Sequence, residues 1–433
     1  MPDNQALIDY ITEHCTHSMN RALAAERHPL WKRHCPEVTD SDFIRLGILR
    51  CISAVDSGRH FLQTANDIHQ ERIPVSSYFN HLKSARRANM LKAVEQQSYQ
   101  LHCDTLSAHG IDYLSSFPEL DGYTVEAADG HFIDHACHTE KNASGTAYAA
   151  GFIYALNLRN GLINPLCTVT NGTRRSQEIP ILRKHIEKNN PPQHQDQKRL
   201  YVYDKAVTDY VWWNRQKGHN NYMISMLKEN SSAMLVGEIP FDKEHGINVG
   251  IEGYDRYKND QGILFSVVTY CDPETKRRYW FITTLPESVK PGTIAILYFK
   301  RWTIEKAFNN SKSNLKETKA WSPNTHALNS QMRFTAMSYN FMRVFEELSK
   351  RHDPDLIHPA DKKYTKALEK RQRVASKLGY FVNPLLFQPR IARISSYTIR
   401  AAQNAIITGK RWQSFMKELV DQLIPRVDLM KER

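Results

Sequence analysis

Apolar and polar positions change their spacing along the chain. Through the first 118 residues apolar side chains recur at helical intervals, as in Phe43, Leu46, Leu49 and Ile52, and glycine is scarce. Within this region FLQTANDIHQERIPVSSYFNHLKSARR predicts two helices parted at Pro74, with Ser76 as a cap for the second. From Tyr123 the texture becomes strand-like. YTVEAADGHFI, YAAGFIYALNL and LINPLCTVT are β-rich runs, and Arg159-Asn160-Gly161 between the last two is a hairpin signal. SQEIPILRKHIEK predicts a helix capped by Ser176. After a polar loop, LYVYD predicts a short buried strand ending at Asp204, followed by a helix and then the strand YMISMLK.

The short runs MLVGEIPF, INVGI, GILFSVVTY and RRYWFITTL predict a β-rich insertion. A helix follows from about Thr293 through Leu315, with more helix to about Lys350, and RHDPDLIHPADKK is expected to be a linker. The order of strands and helices specifies an α/β core. The expected divisions are a helical region at 1–118, a core at 119–231, the insertion at 232–290, the rest of the core at 291–350, and a helical region at 351–433.

Charge sharpens this picture. The net charge is +12, and residues 361–411 hold 12 Lys/Arg against 2 Asp/Glu. Such concentration favours contact with a polyanion over a merely solvated surface. Lys362, Lys363, Lys366, Lys370, Arg371 and Arg373 are candidates for DNA contact here, and Lys83, Arg86 and Arg87 on the second of the two early helices are others. No apolar run approaches the roughly 18 residues of a membrane span. The opening MPDNQALIDY lacks a secretory pattern, so a cytoplasmic protein is expected. Seven cysteines without a CxxC pair fit free thiols in a reducing compartment.

The densest chemistry lies in YFKRWTIEKAFNNSK. On one continuous helix Tyr298, Arg301, Glu305 and Lys312 fall within about 60° of each other. That face would offer a carboxylate for a metal, two cations for phosphate and a phenol. Spacing alone is met as well by a surface helix with an Arg301–Glu305 pair, which is the commoner case.

These four positions fit the Y-x2-R-x3-E-x6-K signature, and the segment resembles the transposases of insertion sequence family four, a group of bacterial mobile elements. AADG at Asp129 resembles that family's first aspartate, and VYDKAVTD at Asp204 its second. FITTLPESVKPGTIAILYFKRW resembles its approach to the glutamate helix, so the likeness spans about 120–345. The resemblance implies an RNase H-like catalytic core carrying a β-rich insertion, with helical regions on both sides. It also implies a triad of Asp129, Asp204 and Glu305 holding Mg2+ or Mn2+, two ions in all. Tyr298, Arg301 and Lys312 would bind DNA. The implied partner is double-stranded DNA, at element ends and target, with a homodimer on DNA and no membrane, in a bacterial cytoplasm and at the nucleoid when DNA-bound.

Asp134 and Asp209 lie close to the two aspartates, but Asp129 and Asp204 each close an apolar run. His131, His135, Cys137 and His138 invite a zinc reading, yet no second ligand cluster accompanies them. Trp280 and Trp302 are candidates either for core packing or for stacking on an extruded base. Two rival functions stand beside transposition: an RNase H-like nuclease that cuts without joining, and a DNA-binding regulator without catalysis.

Overall fold

The computed structural model describes residues 38–379, except 54, 56, 69–72, 134–149, 170–173, 189–196, 228–232, 316, 318 and 353–358. Asp134, His135, Cys137 and His138 lie outside the described residues, as does the chain from 380 onward.

The alternating segments build a sheet. Strand β1 (Tyr123–Ile133) pairs antiparallel with β2 (Ala150–Asn157), which pairs antiparallel with β3 (Ile163–Val169). Gly161 takes φ 76° in the turn between β2 and β3, a conformation that costs glycine little. Strands β4 (Lys198–Val202) and β5 (Asn221–Met226) continue parallel to β1. Three runs of the expected insertion form strands of a meander, β6 (Met234–Glu238), β8 (Leu264–Cys271) and β9 (Arg278–Thr283), whereas INVGI does not: Gly246–Asn248 is a short 3-10 turn, and the remaining strand of the meander, β7 (Ile251–Lys258), begins where that run ends. They make no separate sheet. β9 pairs antiparallel with β5 through Ile224–Thr283 and Met226–Phe281, so among the described residues one nine-stranded sheet results. Its order is β3-β2-β1-β4-β5-β9-β8-β7-β6.

The two-residue period of the strands divides the core between the faces. Ile153 and Ala155 pack with Leu182 and Ile186 of α5 (Arg174–Lys188) and with Trp212 and Trp213 of α6 (Tyr210–Lys217). Phe152, Tyr154 and Leu156 face the opposite way. There they join the helices α1 (Asp40–Ser53), α2 (Gly58–Ile68), α3 (Val75–Leu82) and α4 (Ala85–Ala108), and the later α7 (Pro291–Arg301), α8 (Thr303–Asn314) and α9 (Thr325–His352). α9 packs on α4, β3 and α1, tying the N-terminal helices to the sheet. β2 is buried along almost its whole length because both faces are covered.

Several helix expectations need correction. The early helix pair breaks differently: Pro74 is the N-cap of α3, Ser76 lies inside it, and the segment ends at Lys83. Ser84 then caps α4, where its hydroxyl oxygen accepts the Arg87 N–H. Ser176 also lies inside its helix, since α5 begins at Arg174. The helix expected from Thr293 through Leu315 is interrupted at Trp302, whose φ −62° and ψ −7° close the last turn of α7 with an i→i−3 bond to Phe299. No glycine or proline marks this break, so periodicity could not find it. Part of the expected linker is helical, since α9 runs to His352 and α10 (Pro359–Leu378) begins inside it.

α7 is held in register at its start. Gly292 donates to the Asn248 side chain at 3.0 Å, and a Cβ there would lie 1.9 Å from the Ile247 carbonyl oxygen. Only glycine admits that approach, and it fixes the helix that ends at Arg301.

Candidate active site

Two parallel strands bring the aspartates level. β1 and β4 pair in register from Tyr123–Lys198 to Ala127–Val202. Two residues further along each chain stand Asp129, still paired with Tyr154 of β2, and Asp204, just past the end of β4. Adjacent strands run about 4.8 Å apart, so this register sets the two residues side by side. Both follow the parity of Ala127 and Val202, which face the α7–α9 side. Asp204 is exposed and caps the short 3-10 turn Lys205–Val207, its Oδ1 accepting the Lys205 N–H at 2.7 Å. Asp209 lies elsewhere: it caps α6 and pairs with Arg183 at 2.9 Å.

A third carboxylate that the sequence reading missed joins them. Glu178 of α5 accepts the Gly130 N–H through Oε1 at 2.9 Å, while Asp129 Oδ1 accepts the same N–H at 2.8 Å. Burial raises the Asp129 carboxyl above its usual range and the Asp204 charge adds to this, while hydrogen bonds from Glu178 and Gly130 and the Arg301 charge offset part of the rise. Glu178 is pushed up to about 7 by burial, then by Asp129 and Asp204. The signal for it was in the sequence. Glu178 precedes buried Leu182 by four residues and Ile186 by eight, which puts a charge on the apolar stripe of the helix. Seven residues on, His185 Nε2 meets Glu126 Oε1 at 2.9 Å, so α5 grips β1 at two points.

The signature residues separate at the α7–α8 junction. Arg301 ends α7 and is 6% exposed, and among the described residues its buried Nε has no hydrogen-bond partner. Its guanidinium lies 5.6 Å from the Tyr298 ring centroid. Tyr298 is 2% exposed and packs on Phe281 at 4.9 Å. It therefore backs Arg301 from the core and does not present a surface phenol. Glu305 is exposed in the first turn of α8, where a carboxylate suits the helix dipole. Lys312 belongs to α8, and its side chain lies outside the described residues. Trp302 stands exposed at the junction, in edge contact with Phe299, and Trp280 is exposed on β9.

His131 is engaged in the core. It is buried two residues past Asp129, with its Nε2 3.5 Å from the Glu317 carboxylate, which also accepts the Tyr154 hydroxyl at 2.8 Å. Among the described residues no three His, Cys, Asp or Glu side chains gather closely enough to enclose an ion.

Two of the three cations expected to meet DNA from the early helices have partners within the fold. Arg86 makes a two-pronged pair with Asp40 at 2.6 and 2.9 Å. Arg87 is 2% exposed, bonded to the Val38 carbonyl at 2.6 Å and facing Asp40 at 3.3 Å. Both bind α4 to the start of α1, and of this trio Lys83 remains exposed. On α10, Lys366, Lys370 and Arg373 are exposed, and Arg371 pairs with Glu274 between β8 and β9 at 2.6 Å. The side chains of Lys362 and Lys363 lie outside the described residues.

A family model described as the transposase DDE domain matches residues 121–341. The chain belongs to this family. The match in this transposase begins just before β1 and ends within α9, so it takes in all nine strands and the four helices α5–α8. No curated protein matches the chain. Transposases of this family act on DNA and generally use divalent metal ions. Among the described residues of this one, no helix is long and apolar enough to cross a membrane.

Proposed function

We propose that this transposase belongs to insertion sequence family four and cuts and rejoins DNA at element ends through Asp129, Asp204 and Glu305. The observation that supports the reading is the β1–β4 register, in which Asp129 of β1 and Asp204 after β4 each follow the Ala127–Val202 pair by two residues. The order β3-β2-β1-β4-β5, with β1, β4 and β5 parallel, supports an RNase H-like core. The donors fit a hard divalent cation: they are carboxylate oxygens, and burial together with the Asp204 charge opposes ionisation of Asp129, an opposition that positive charge relieves. Asp129, Asp204 and Glu305 would hold Mg2+ or Mn2+. Two such ions would supply charge neutralisation at the phosphate and lower the cost of ionising the attacking and leaving oxygens.

The chain's own residues do the rest. Asp129 is held within β1, whereas Asp204, the cap of the turn after β4, and Glu305, in the first turn of α8, are exposed. Arg301 presents a desolvated guanidinium near Asp129, suited to clamp a phosphate of the DNA backbone, and Tyr298 keeps it there. Lys312, on the same helix as Glu305, adds a cation along the backbone path. The reaction comprises a hydrolytic nick at the element end and attack of the freed 3'-hydroxyl on a second phosphodiester. Exposed Lys83 and the basic face of α10 add non-specific DNA contact, two chains synapse two ends, and the site of action is the bacterial nucleoid.

The test uses the full chain with Mg2+ and duplexes taken from the DNA flanking its reading frame. The wild type is expected to yield nicked and strand-transfer products, and Asp129→Ala and Asp204→Ala neither, with end binding retained. Nicks without joining would favour the nuclease, and unchanged cleavage by Asp129→Ala would remove the site assignment.

A further inference from the structure

Glu178 comes from a helix on the far face of the sheet, yet its carboxylate ends at the same N–H that Asp129 accepts. Such an approach needs a reason, because two acidic groups on one donor must either repel each other as anions or share a proton. A purely structural brace could be neutral: the carbonyl of a glutamine would accept the Gly130 N–H as well. A second, independent feature points to a missing partner. The Nε of Arg301, on a side chain 6% exposed and electrostatically engaged with Asp129, has no partner among the described residues. A buried donor left open beside converging carboxylates fits a site shaped for a cation and the phosphate it carries.

We propose that Glu178 is a fourth acidic residue of the ion-binding set, lending its carboxylate charge to capture of the divalent cation alongside Asp129. This rests on the reading of Asp129 and Asp204 as ion ligands. The anchor that places it is His185, two turns along α5, through its pair with Glu126 of β1. Helix and strand are thus pinned at Glu126 and Gly130, and Glu178 has little freedom to swing away.

Binding of Mn2+ to the full chain without DNA, followed by the loss of the free-ion spectroscopic signal, separates the possibilities. Asp129→Asn is expected to abolish tight binding. Glu178→Gln is expected to weaken it about tenfold or more, while its melting temperature in chelator stays at or above that of the wild type. Glu178→Ala should weaken it at least as much. Wild-type affinity in Glu178→Gln, with Asp129→Asn defective, overturns the proposal and leaves the site reading intact. Loss only in Glu178→Ala, or loss accompanied by lowered melting in Glu178→Gln, assigns a bracing role and also overturns it. Wild-type affinity in Asp129→Asn would bring down the site reading and this inference together.

Discussion

Arg301 sits in a setting that its spacing does not announce. Its spacing to Glu305 suits an exposed ion pair, but the structure buries it over Tyr298 with an open Nε. A lysine cannot reproduce the planar fork, and its compact ammonium is harder to desolvate. Arg301→Lys is therefore expected to lower end cleavage by roughly tenfold or more, about 1.4 kcal/mol of transition-state stabilisation, with DNA affinity little changed; single-turnover cleavage with saturating enzyme reads this. Equal cleavage by the two proteins would show that the guanidinium serves packing alone. The placement of Asp204 just past a buried strand was legible from its apolar run, whereas Asp129 lies inside β1, which continues to Ile133. Glu178 was overlooked because a lone acid in the first turns of a helix is usually solvated, and only the strand beneath it reveals the partner. The basic character of Arg86 and Arg87 was legible, but their use was not, since Asp40 lies more than 40 residues away in sequence.

At the scale of elements, strands were more legible than helix ends. Periodicity located the other sheet-forming runs but not β7, whose IEGYDRYK has few apolar residues, and the Asn-Gly turn fixed a hairpin, because both signals are local. The break at Trp302 depends on a backbone angle that no special residue announces, and the junction of the insertion with β5 depends on pairing across more than 50 residues. Helix α5 carries a pH dependence of its own. Burial alone would lower the His185 pKa, but the Glu126 charge and hydrogen bond outweigh it, so the value lies above the usual 6.5. A group raised on folding stabilises fully below its unfolded pKa and loses that contribution as pH rises through the folded one. His185→Gln should therefore cost about 1.5–3 kcal/mol at pH 6 and clearly less at pH 9, measured by denaturant unfolding at both values. A cost that grows with pH would contradict the charged pair.

At the scale of the whole molecule, α10 carries exposed Lys366, Lys370 and Arg373, and its Arg371 is tied to Glu274 between β8 and β9. Neutralising Lys362, Lys363, Lys366, Lys370, Arg371 and Arg373 together is expected to weaken DNA binding and flatten its salt dependence, by roughly one unit of slope per lost phosphate contact. Arg371 already has Glu274 as a partner, so its single variant should move the slope least. An unchanged slope in the multiple variant would remove α10 from the DNA interface.

The central claim, that Asp129 of β1, Asp204 after β4 and Glu305 of α8 form one active site, is tested most directly at Glu305, which stands exposed in the first turn of that helix. The measurement is nicking and joining of cognate ends by Glu305→Gln in Mg2+, at protein concentrations that saturate the DNA. The account predicts wild-type end binding with both reactions reduced by about a thousandfold or more. Nicking and joining near the wild-type rate would contradict it.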